Sequence, residues 1–534
     1  IQRLKSGEKI KVKVGKGTLI DNNTKGTMSA FSSIGAPHTL DFKPEITAPG
    51  GKIYSTVMDN KYDTYSGTSM ASPHVAGAGA LVLQSLYEKG VTRGTDAIYR
   101  AKTALMNTAQ ILMDPTTESK IPYSPRKQGS GMMQIANALK TPVLVKDKFA
   151  KPENAAAVEL KEIKQDKVKF MLEVEALAGK SSPEEITYDV YLDLLTDDTE
   201  QKELDLNRDG KIDKTMEVLK LTSKRIEGAT AKINGKDFSH TTPATFTVKK
   251  GHLQDLEVDI KLPDGLKKNI FVEGFVRFVP KNGDQTSISS LTIPYMGFYG
   301  DWDQPQNLDA PMWDKNAFLQ ETALFPYYGQ KNWLGKPDVA FVYVKADKTF
   351  AEERMSISPH AANQGVYSMF TTLRNVKLVQ MYIEDASGNR VRYLGDYSDF
   401  TGTGEPWKFR KNIMSNGEFV WGGYIWNLKS DDGKYVPDGK YQFIMESTLD
   451  YEGARPQKVK MPINIDSVAP KVENIQVNKT PENKYLISWN MTDNAGGSGL
   501  TKSMVYVDGN ARQITATQTS LLVNTEPKSV VVVP

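Results

Sequence analysis

Cysteine is absent from this chain of 534 residues, which excludes disulfide bonds, thiolate metal sites and a cysteine nucleophile. Histidine is scarce, with five residues, so few positions are available for a histidine base. No apolar run approaches the roughly 20 residues that a membrane-spanning helix needs, and the N-terminus has no apolar signal-peptide core. Lys and Arg number 67 against 64 Asp and Glu, and the resulting net charge of +3 disfavours nucleic acid as a partner.

The residue patterns divide the chain into an α/β part and a longer β-rich part. Residues 1–140 combine strand-like alternation in EKIKVKVG with helical lengths in LVLQSLYEKG and DAIYRAKTALMNTAQ. In the second helix a buried stripe is predicted at Ile98, Ala101, Leu105 and Ala109. Short alternating strands after Thr141 are typical of β-sandwiches, and they predict domains at 141–300, 301–466 and 467–534, the last truncated.

The stretch YSGTSMASPHVAGAGALVL, residues 65–83, places a serine directly before an apolar run. Its small residues allow a tight turn to lead into a helix that is apolar on every face, which predicts a central, buried helix. Ser69 would lie at the helix N-terminus, where free N–H groups and the helix dipole stabilise an oxyanion. Pro73 is compatible with a first turn. A lone serine in this position is also a common N-cap.

Several strings resemble one protease family. GTSMASPHVAG resembles the active-site serine motif of the subtilisin-like serine proteases, and FSSIG, KPEITAPG and YSPRKQGSGMMQIANAL resemble its flanking stretches in order and spacing. IFVEGFVRF and IPYMGFYGDW resemble the first fibronectin-like domain of the large Gram-positive cell-envelope proteases, the group of streptococcal complement-factor peptidases and lactocepin-type caseinases. The resemblance implies an incomplete α/β subtilisin-like catalytic domain followed by three all-β fibronectin/immunoglobulin-like sandwich domains.

The resemblance also assigns site residues. It implies that Ser69 is the catalytic nucleophile. The residues expected to support the motif and its oxyanion hole are Gly67, Thr68, Met70 and Ala71. Part of the substrate pocket is expected from Ala48, Pro49 and Gly50.

The family's Asp-x-Gly and His-Gly-Thr-His motifs, which it carries before the serine, do not occur upstream of Ser69 in the sequence. The base, its aspartate and the oxyanion asparagine are therefore expected upstream of residue 1. His74 lies five residues after Ser69, so at about 100° per helical residue it points away from the serine and is predicted to be a packed structural histidine. His38 is predicted to lie at the surface or substrate rim. Solvated positions are predicted for His240, His252 and His360.

The segment DLNRDGKID has the spacing of a calcium loop. Its candidate ligands at loop positions 1, 3, 5, 7 and 9 are Asp205, Asn207, Asp209, Lys211 and Asp213. Position 12 is Met216 rather than a carboxylate, so an acidic solvated turn remains the alternative. No organic cofactor is predicted. The string ISPHAANQG lacks the carboxylates for a further calcium site, and Trp421 and Trp426 are predicted to belong to a sandwich core.

These observations predict the C-terminal portion of a secreted serine endopeptidase that cleaves proteins or peptides by acyl-enzyme chemistry at Ser69. The chain alone is predicted to be inactive, with the upstream part of the same protease as its partner. Its expected location is extracellular in a Gram-positive bacterium, attached to the cell wall through a missing C-terminal region. The alternatives are a non-catalytic adhesin with a degenerate protease head, and a structural spacer.

Overall fold

The computed structural model describes residues 6–7, 26–88, 90–117, 121–178, 182–204, 211–212, 214–281, 288–319, 321–326, 355–360, 365–396, 413–414, 417–418, 421–497, 499–500 and 502–534. The predicted strand in EKIKVKVG lies outside these residues. None of the helices in the described part of the chain combines the length and apolar character that crossing a lipid bilayer requires.

The head, residues 26–140, contains a hairpin and four helices. The hairpin pairs β1 (Ile53–Val57) with β2 (Lys61–Tyr65). The helices are α1 (Thr68–Glu88), α2 (Thr95–Asn107), α3 (Pro125–Gln128) and α4 (Ile135–Lys140). A small apolar core joins α1, α2 and α4, with Val82, Leu105 and Ala138 among its members.

The prediction that α1 is buried on every face is wrong for this chain. Only Ala78, Val82 and Leu86 are buried, at the i, i+4 spacing of a single stripe, and Leu81 is 49% exposed. The reason is that α2 and α4 pack against that one stripe of the helix. Pro73 lies beyond the first turn, inside the helix.

The stripe predicted on α2 is partly wrong. Ile98 is 53% exposed, and Ala97 takes the buried position beside it. Ala101 and Leu105 are buried as predicted, and so is Ala109, which lies beyond the last helical residue. The buried face is thus rotated by one residue at the start of the helix.

The first β region, residues 141–300, consists of two sheets. Its strands are β3 (Val143–Asp147), β4 (Val158–Ile163), β5 (Lys167–Ala176), β6 (Glu185–Leu204), β7 (Lys214–Arg225), β8 (Thr230–Ile233), β9 (Lys236–Asp237), β10 (Ala244–Lys249), β11 (Leu253–Lys261), β12 (Ile270–Pro280) and β13 (Leu291–Tyr299). One sheet has the order β10-β6-β12-β13-β4, with β7 also paired to β6, and the other has the order β3-β5-β11-β8-β9. A single hydrophobic core draws side chains from both sheets.

The second β region, residues 301–466, has its own core, in which Trp426 is fully buried as predicted. Its strands are β14 (Ala323–Pro326), β15 (Ser356–Ile357), β16 (Val366–Phe370), β17 (Val376–Asp385), β18 (Arg390–Asp396), β19 (Ile413–Met414), β20 (Gly417–Glu418), β21 (Trp421–Trp426), β22 (Gly439–Leu449) and β23 (Gln457–Ile465). The sheets have the orders β14-β16-β21, β15-β23-β22-β17-β18 and β19-β20. The side chain of Trp421 lies outside the described part of the structure.

The third β region, residues 467–534, contains two sheets of three strands each around a small core. Its strands are β24 (Lys471–Lys479), β25 (Tyr485–Thr492), β26 (Lys502–Val507), β27 (Asn510–Thr515), β28 (Ser520–Val523) and β29 (Val530–Val533). Trp489 is its largest buried side chain.

His38 lies at a junction of three regions, which corrects its predicted position at the surface or substrate rim. Its Nε2 is 3.1 Å from Asp450 Oδ2, its Nδ1 is 3.1 Å from the Asn375 amide, and its carbonyl accepts a hydrogen bond from Trp302 Nε1 at 2.7 Å. An apolar cluster around Trp302 combines side chains from the head and from the first and second β regions. The loop 36–46 therefore packs between regions through its buried residues Leu40 and Phe42. His240, His252 and His360 are exposed, as predicted.

Candidate functional site

Ser69 is the second residue of α1 and is exposed. The turn before it is held by a hydrogen bond from the Gly67 N–H to the Gly50 carbonyl at 2.8 Å, and Gly67 in turn accepts from the Met70 N–H at 3.0 Å. The first turn of a helix leaves N–H groups without intrahelical acceptors, and they carry the positive end of the helix dipole. The hydroxyl of Ser69 therefore lies where negative charge on a neighbouring atom is stabilised.

Gly50 is required where the two segments of the site meet. A Cβ atom at this position would lie 2.8 Å from the Gly67 carbonyl oxygen and 3.1 Å from the Ala71 Cβ. The neighbouring Gly51 has its nearest such contact at 3.6 Å, from Ser29 Oγ, which is ordinary van der Waals distance. A second hydrogen bond, from the Lys52 N–H to Ser66 Oγ at 2.8 Å, joins the same two segments.

Two cavities lie at the turn that carries Ser69. The first, of about 470 Å³, is lined by the predicted pocket residues together with three residues of the serine motif: Ala48, Pro49, Gly50, Gly67, Thr68 and Ala71. The second, of about 410 Å³, is lined by Ser69, Met70 and His74 and by the hairpin β1–β2. The predicted pocket and the predicted nucleophile are thus brought together, on either side of one turn.

His74 is exposed, so the prediction that it is a packed structural histidine is wrong. Its Nδ1 lies 2.9 Å from the Met70 carbonyl oxygen, one helical turn back, which makes Nδ1 the protonated nitrogen. Within the described residues, no hydrogen bond joins His74 to Ser69. This agrees with the prediction that His74 is not the base.

Asp63 lies on the same cavity, so serine, histidine and aspartate are all present there. A catalytic triad requires the aspartate to orient the histidine and the histidine to bond the serine. The Asp63 carboxylate instead accepts a hydrogen bond from the Thr64 N–H at 2.7 Å, and His74 Nδ1 is engaged by Met70. The three side chains share a cavity without the connections of a triad.

Most of the predicted calcium loop lies outside the described residues: Asp205, Asn207, Asp209 and Asp213 are not described, and Lys211 is. Residues 361–364 of ISPHAANQG also lie outside. Among the residues that the structure describes, no group of three or more His, Asp or Glu side chains is arranged to hold a metal ion. The calcium site stays a prediction.

A buried ion cluster lies behind the site and was not predicted from the sequence. Arg126, at the second position of α3, donates from Nε to Glu273 Oε2 at 2.8 Å and from Nη2 to Asp197 Oδ1 at 2.6 Å. Its guanidinium carbon lies 3.7 Å from the centre of the Phe271 ring. Nothing in the sequence pairs Arg126 with a carboxylate 147 positions away, so only the tertiary structure reveals this cluster.

Burial and charge act in opposite directions in this cluster. Burial alone would lower the pKa of Arg126, but the attraction of Glu273 and Asp197 raises the pKa above its ordinary value. For Glu273, burial raises the pKa, while Arg126 acts to lower it. A fully buried charge of this kind is tolerated only when it is paired and hydrogen-bonded.

Two family models and several known proteins are similar to this chain. The subtilase family matches residues 14–131, which include Ser69, and an Fn3-like domain matches residues 158–296. The chain is 30% identical over 528 residues to the PI-type proteinase of Lactococcus lactis subsp. cremoris, an alignment that covers 94% of this chain and 26% of that protein. It is 26% identical over 510 residues to the C5a peptidase of Streptococcus pyogenes serotype M1, covering 83% of this chain and 39% of the peptidase.

The chain spans about a quarter of the length of the lactococcal proteinases that it matches. Among solved structures, tripeptidyl peptidase 2 aligns with 90% of this chain and 39% of its own, at 13% identity and a TM-score of 0.27, which is too low to support a conclusion. The sequence relatives and the two matched families agree with the resemblance carried by the serine motif. The chain is therefore a relative of the lactococcal cell-envelope proteinases and streptococcal C5a peptidase, with a subtilase-family segment followed by an Fn3-like domain.

Proposed function

We propose that this chain is the C-terminal portion of a secreted, cell-surface serine endopeptidase in which Ser69 is the nucleophile. The observation that carries the proposal is the position of Ser69 in the first turn of α1, held by the Gly67–Gly50 hydrogen bond beside a cavity lined by residues 48–50. Proteins or peptides are the proposed substrates, as the names of the related proteinases suggest.

In the proposed mechanism the Ser69 Oγ attacks the scissile carbonyl carbon while a histidine upstream of residue 1 removes the hydroxyl proton. The carbonyl oxygen becomes an oxyanion, which the Ser69 N–H and an upstream asparagine stabilise. Collapse of this intermediate breaks the peptide bond, the histidine returns the proton to the leaving amine, and water then hydrolyses the acyl-enzyme. Ala48, Pro49 and Gly50 would form part of the substrate pocket.

The remaining predictions are kept as parts of the same proposal. The three β regions would be sandwich domains that position the head or present substrates, and the segment 205–213 would bind calcium. The complete protein would be extracellular and attached to the cell wall. The chain on its own would be inactive, because no histidine base is hydrogen-bonded to Ser69 among the described residues.

A fluorophosphonate probe tests this function because it reacts only with an activated serine. We expect labelling of the full-length protein, with its upstream segment, and none of the 534-residue chain alone. The variant S69A in the full-length protein is the control and should lose the label. Labelling of the isolated chain would contradict the upstream position of the base.

The competing function is a surface adhesin whose protease head is degenerate. The observation that favours it is that, among the described residues, His74 makes no hydrogen bond to Ser69, and its Nδ1 contacts the Met70 carbonyl instead of Asp63. An unlabelled full-length protein would support the adhesin and contradict the enzyme. The coding sequence upstream of Ile1 gives an independent answer, because the enzyme requires a histidine there.

A further inference from the structure

The ion cluster of Arg126, Glu273 and Asp197 crosses the boundary between the head and the first β region. Arg126 belongs to α3 of the head, whereas Asp197 lies on β6 and Glu273 on β12. The side chains of Arg126 and Glu273 are 7% and 0% exposed, so water does not screen their interaction. The first β region is therefore joined to the head by a buried, charge-assisted contact.

Glu273 holds the short α3 turn at two points. Its Oε2 accepts from Arg126 Nε at 2.8 Å, and its Oε1 accepts from the Ser124 hydroxyl at 2.6 Å. Ser124 is the N-cap of α3, and its Oγ also accepts a hydrogen bond from the Arg126 N–H at 3.0 Å. One carboxylate from β12 thus fixes both the cap and the first turn of α3.

The α3 turn supports two of the segments that line the first cavity. The Gly35 N–H donates to the Arg126 carbonyl at 2.8 Å, which anchors the end of the segment that contains Phe31 and Ser32. The Thr47 hydroxyl donates to the Gln128 carbonyl at 2.8 Å, next to Ala48 in the second segment.

The same turn is packed tightly against the second segment. The Ser130 N–H donates to the Glu45 carbonyl at 3.0 Å, and a Cβ at Gly129 would lie 2.4 Å from the Glu45 carbonyl carbon. The segment then continues to Gly50, whose carbonyl accepts the Gly67 N–H of the serine turn. Hydrogen bonds, together with the backbone of α3 and of residues 47–50, therefore connect β12 to the Gly50–Gly67 pair that holds the serine turn.

We propose that Glu273 and Arg126 are positioning residues of the candidate active site, through which the first β region holds the walls of the substrate cavity in place. The inference rests on the proposed protease function. Neither residue touches the reacting atoms, so their effect would be on how well the cavity is shaped to receive substrate. The first β region would then help to shape the active site, in addition to any role as a spacer.

The test uses the full-length protein and the variant E273Q, which removes the charge with little change in shape. The control is D193N: Asp193 is also buried, also pairs with arginines, Arg225 and Arg277, and lies in the same sheet. The contacts described for the Asp193 carboxylate stay within the first β region. The D193N variant therefore shows how KM and kcat respond when the first β region is disturbed and α3 is not.

Active sites are counted with the fluorophosphonate probe, and hydrolysis of quenched fluorescent casein, a generic protein substrate, then gives kcat per active site and KM. For E273Q we expect KM to rise about tenfold and kcat to fall by less than about threefold, because the pocket is displaced while the nucleophile is retained. D193N should leave KM unchanged. In an R126Q background, E273Q should change KM by less than about twofold, since both substitutions break the same connection.

Equal KM values for E273Q and D193N in an active enzyme would overturn the inference, and so would additive effects of E273Q and R126Q. If E273Q leaves too few active sites to measure, D197N provides the same comparison, because it removes the outer of the two carboxylates and should raise KM about threefold. A wild-type protein that the probe fails to label contradicts the proposed function itself. The two failures are therefore distinguishable.

Discussion

Helix α1 of the head and strands β12 and β13 of the first β region are all rich in apolar residues, yet they differ sharply in burial. All nine residues of β13 are buried, whereas α1 buries three of its 21 residues. The strands lie between β6 and β4 in one sheet and face a second sheet, while α1 is covered along one stripe by α2 and α4. An apolar sequence therefore predicts that a surface needs to be covered, whereas the neighbouring elements decide which part of that surface is buried.

The largest stability effect should come from the core of the first β region. Phe278 is fully buried and contacts the Tyr188 ring edge-on at 6.0 Å between centroids. We expect F278A to lower the free energy of unfolding of this region by about 3–5 kcal/mol, because it leaves a cavity. Urea unfolding, together with hydrogen exchange of the β12 amides, measures this change in the free energy of unfolding. The control L253A, at a side chain 62% exposed, should change it by less than about 0.5 kcal/mol.

The next effect concerns the head, where close packing occurs at the site. G50A places a methyl group against the Gly67 carbonyl oxygen and should displace the serine turn. We expect the rate of fluorophosphonate labelling of the full-length protein to fall about 100-fold or more, since small misplacements of a nucleophile are costly. G51A, whose Cβ would meet only Ser29 Oγ at an ordinary van der Waals distance of 3.6 Å, is the matched control and should label at nearly the normal rate. Equal rates for the two variants would refute this role of Gly50.

Substitutions on the exposed and buried faces of α1 test how much each face contributes to stability. In the 534-residue chain L81A should lower the free energy of unfolding by less than about 0.5 kcal/mol, because Leu81 is half exposed, whereas V82A should cost about 2 kcal/mol. In the full-length protein we expect the upstream segment to cover the exposed face of α1, so L81A should then lower the free energy of unfolding by about 2 kcal/mol as well. Thermal unfolding of both proteins measures the difference. An unchanged cost for L81A would mean that this face stays open.

The smallest effect is a pH dependence in the second β region, near its junction with the first. Hydrogen bonds from Arg455 lower the pKa of Asp303 to about 2, so this carboxylate stabilises the fold above its ordinary pKa of 3.8, and that stabilisation is lost as pH falls toward 2. Between pH 4 and pH 2 the Asp303 carboxylate binds up to about one proton more in the unfolded wild type than in the folded protein, and D303N lacks this uptake. The free energy of unfolding of the wild type should therefore fall faster with acidification than that of D303N. Unfolding curves at several pH values test this, and parallel curves would contradict it.

Prediction from sequence succeeded where the signal is local. The aromatic character of Trp426 predicted its place in a β core, and the serine motif identified the residue at the start of α1. Prediction failed where a side chain meets a distant partner. His38 lies in a polar loop by sequence, but Asp450 and Asn375 hold it at a junction between regions, and Ile98 is exposed although its spacing matches a buried stripe.

The serine turn, the subtilase and Fn3-like segments and the lack of cysteine chemistry can be read from residue identity and short-range spacing. The contact of Gly50 with Gly67, the two cavities beside the serine turn and the pairing of Glu273 with Arg126 are visible only in the folded chain. The physical reason is that burial and ion pairing depend on which segments pack together. Residues 147 positions apart leave no periodicity in the sequence that would show their contact.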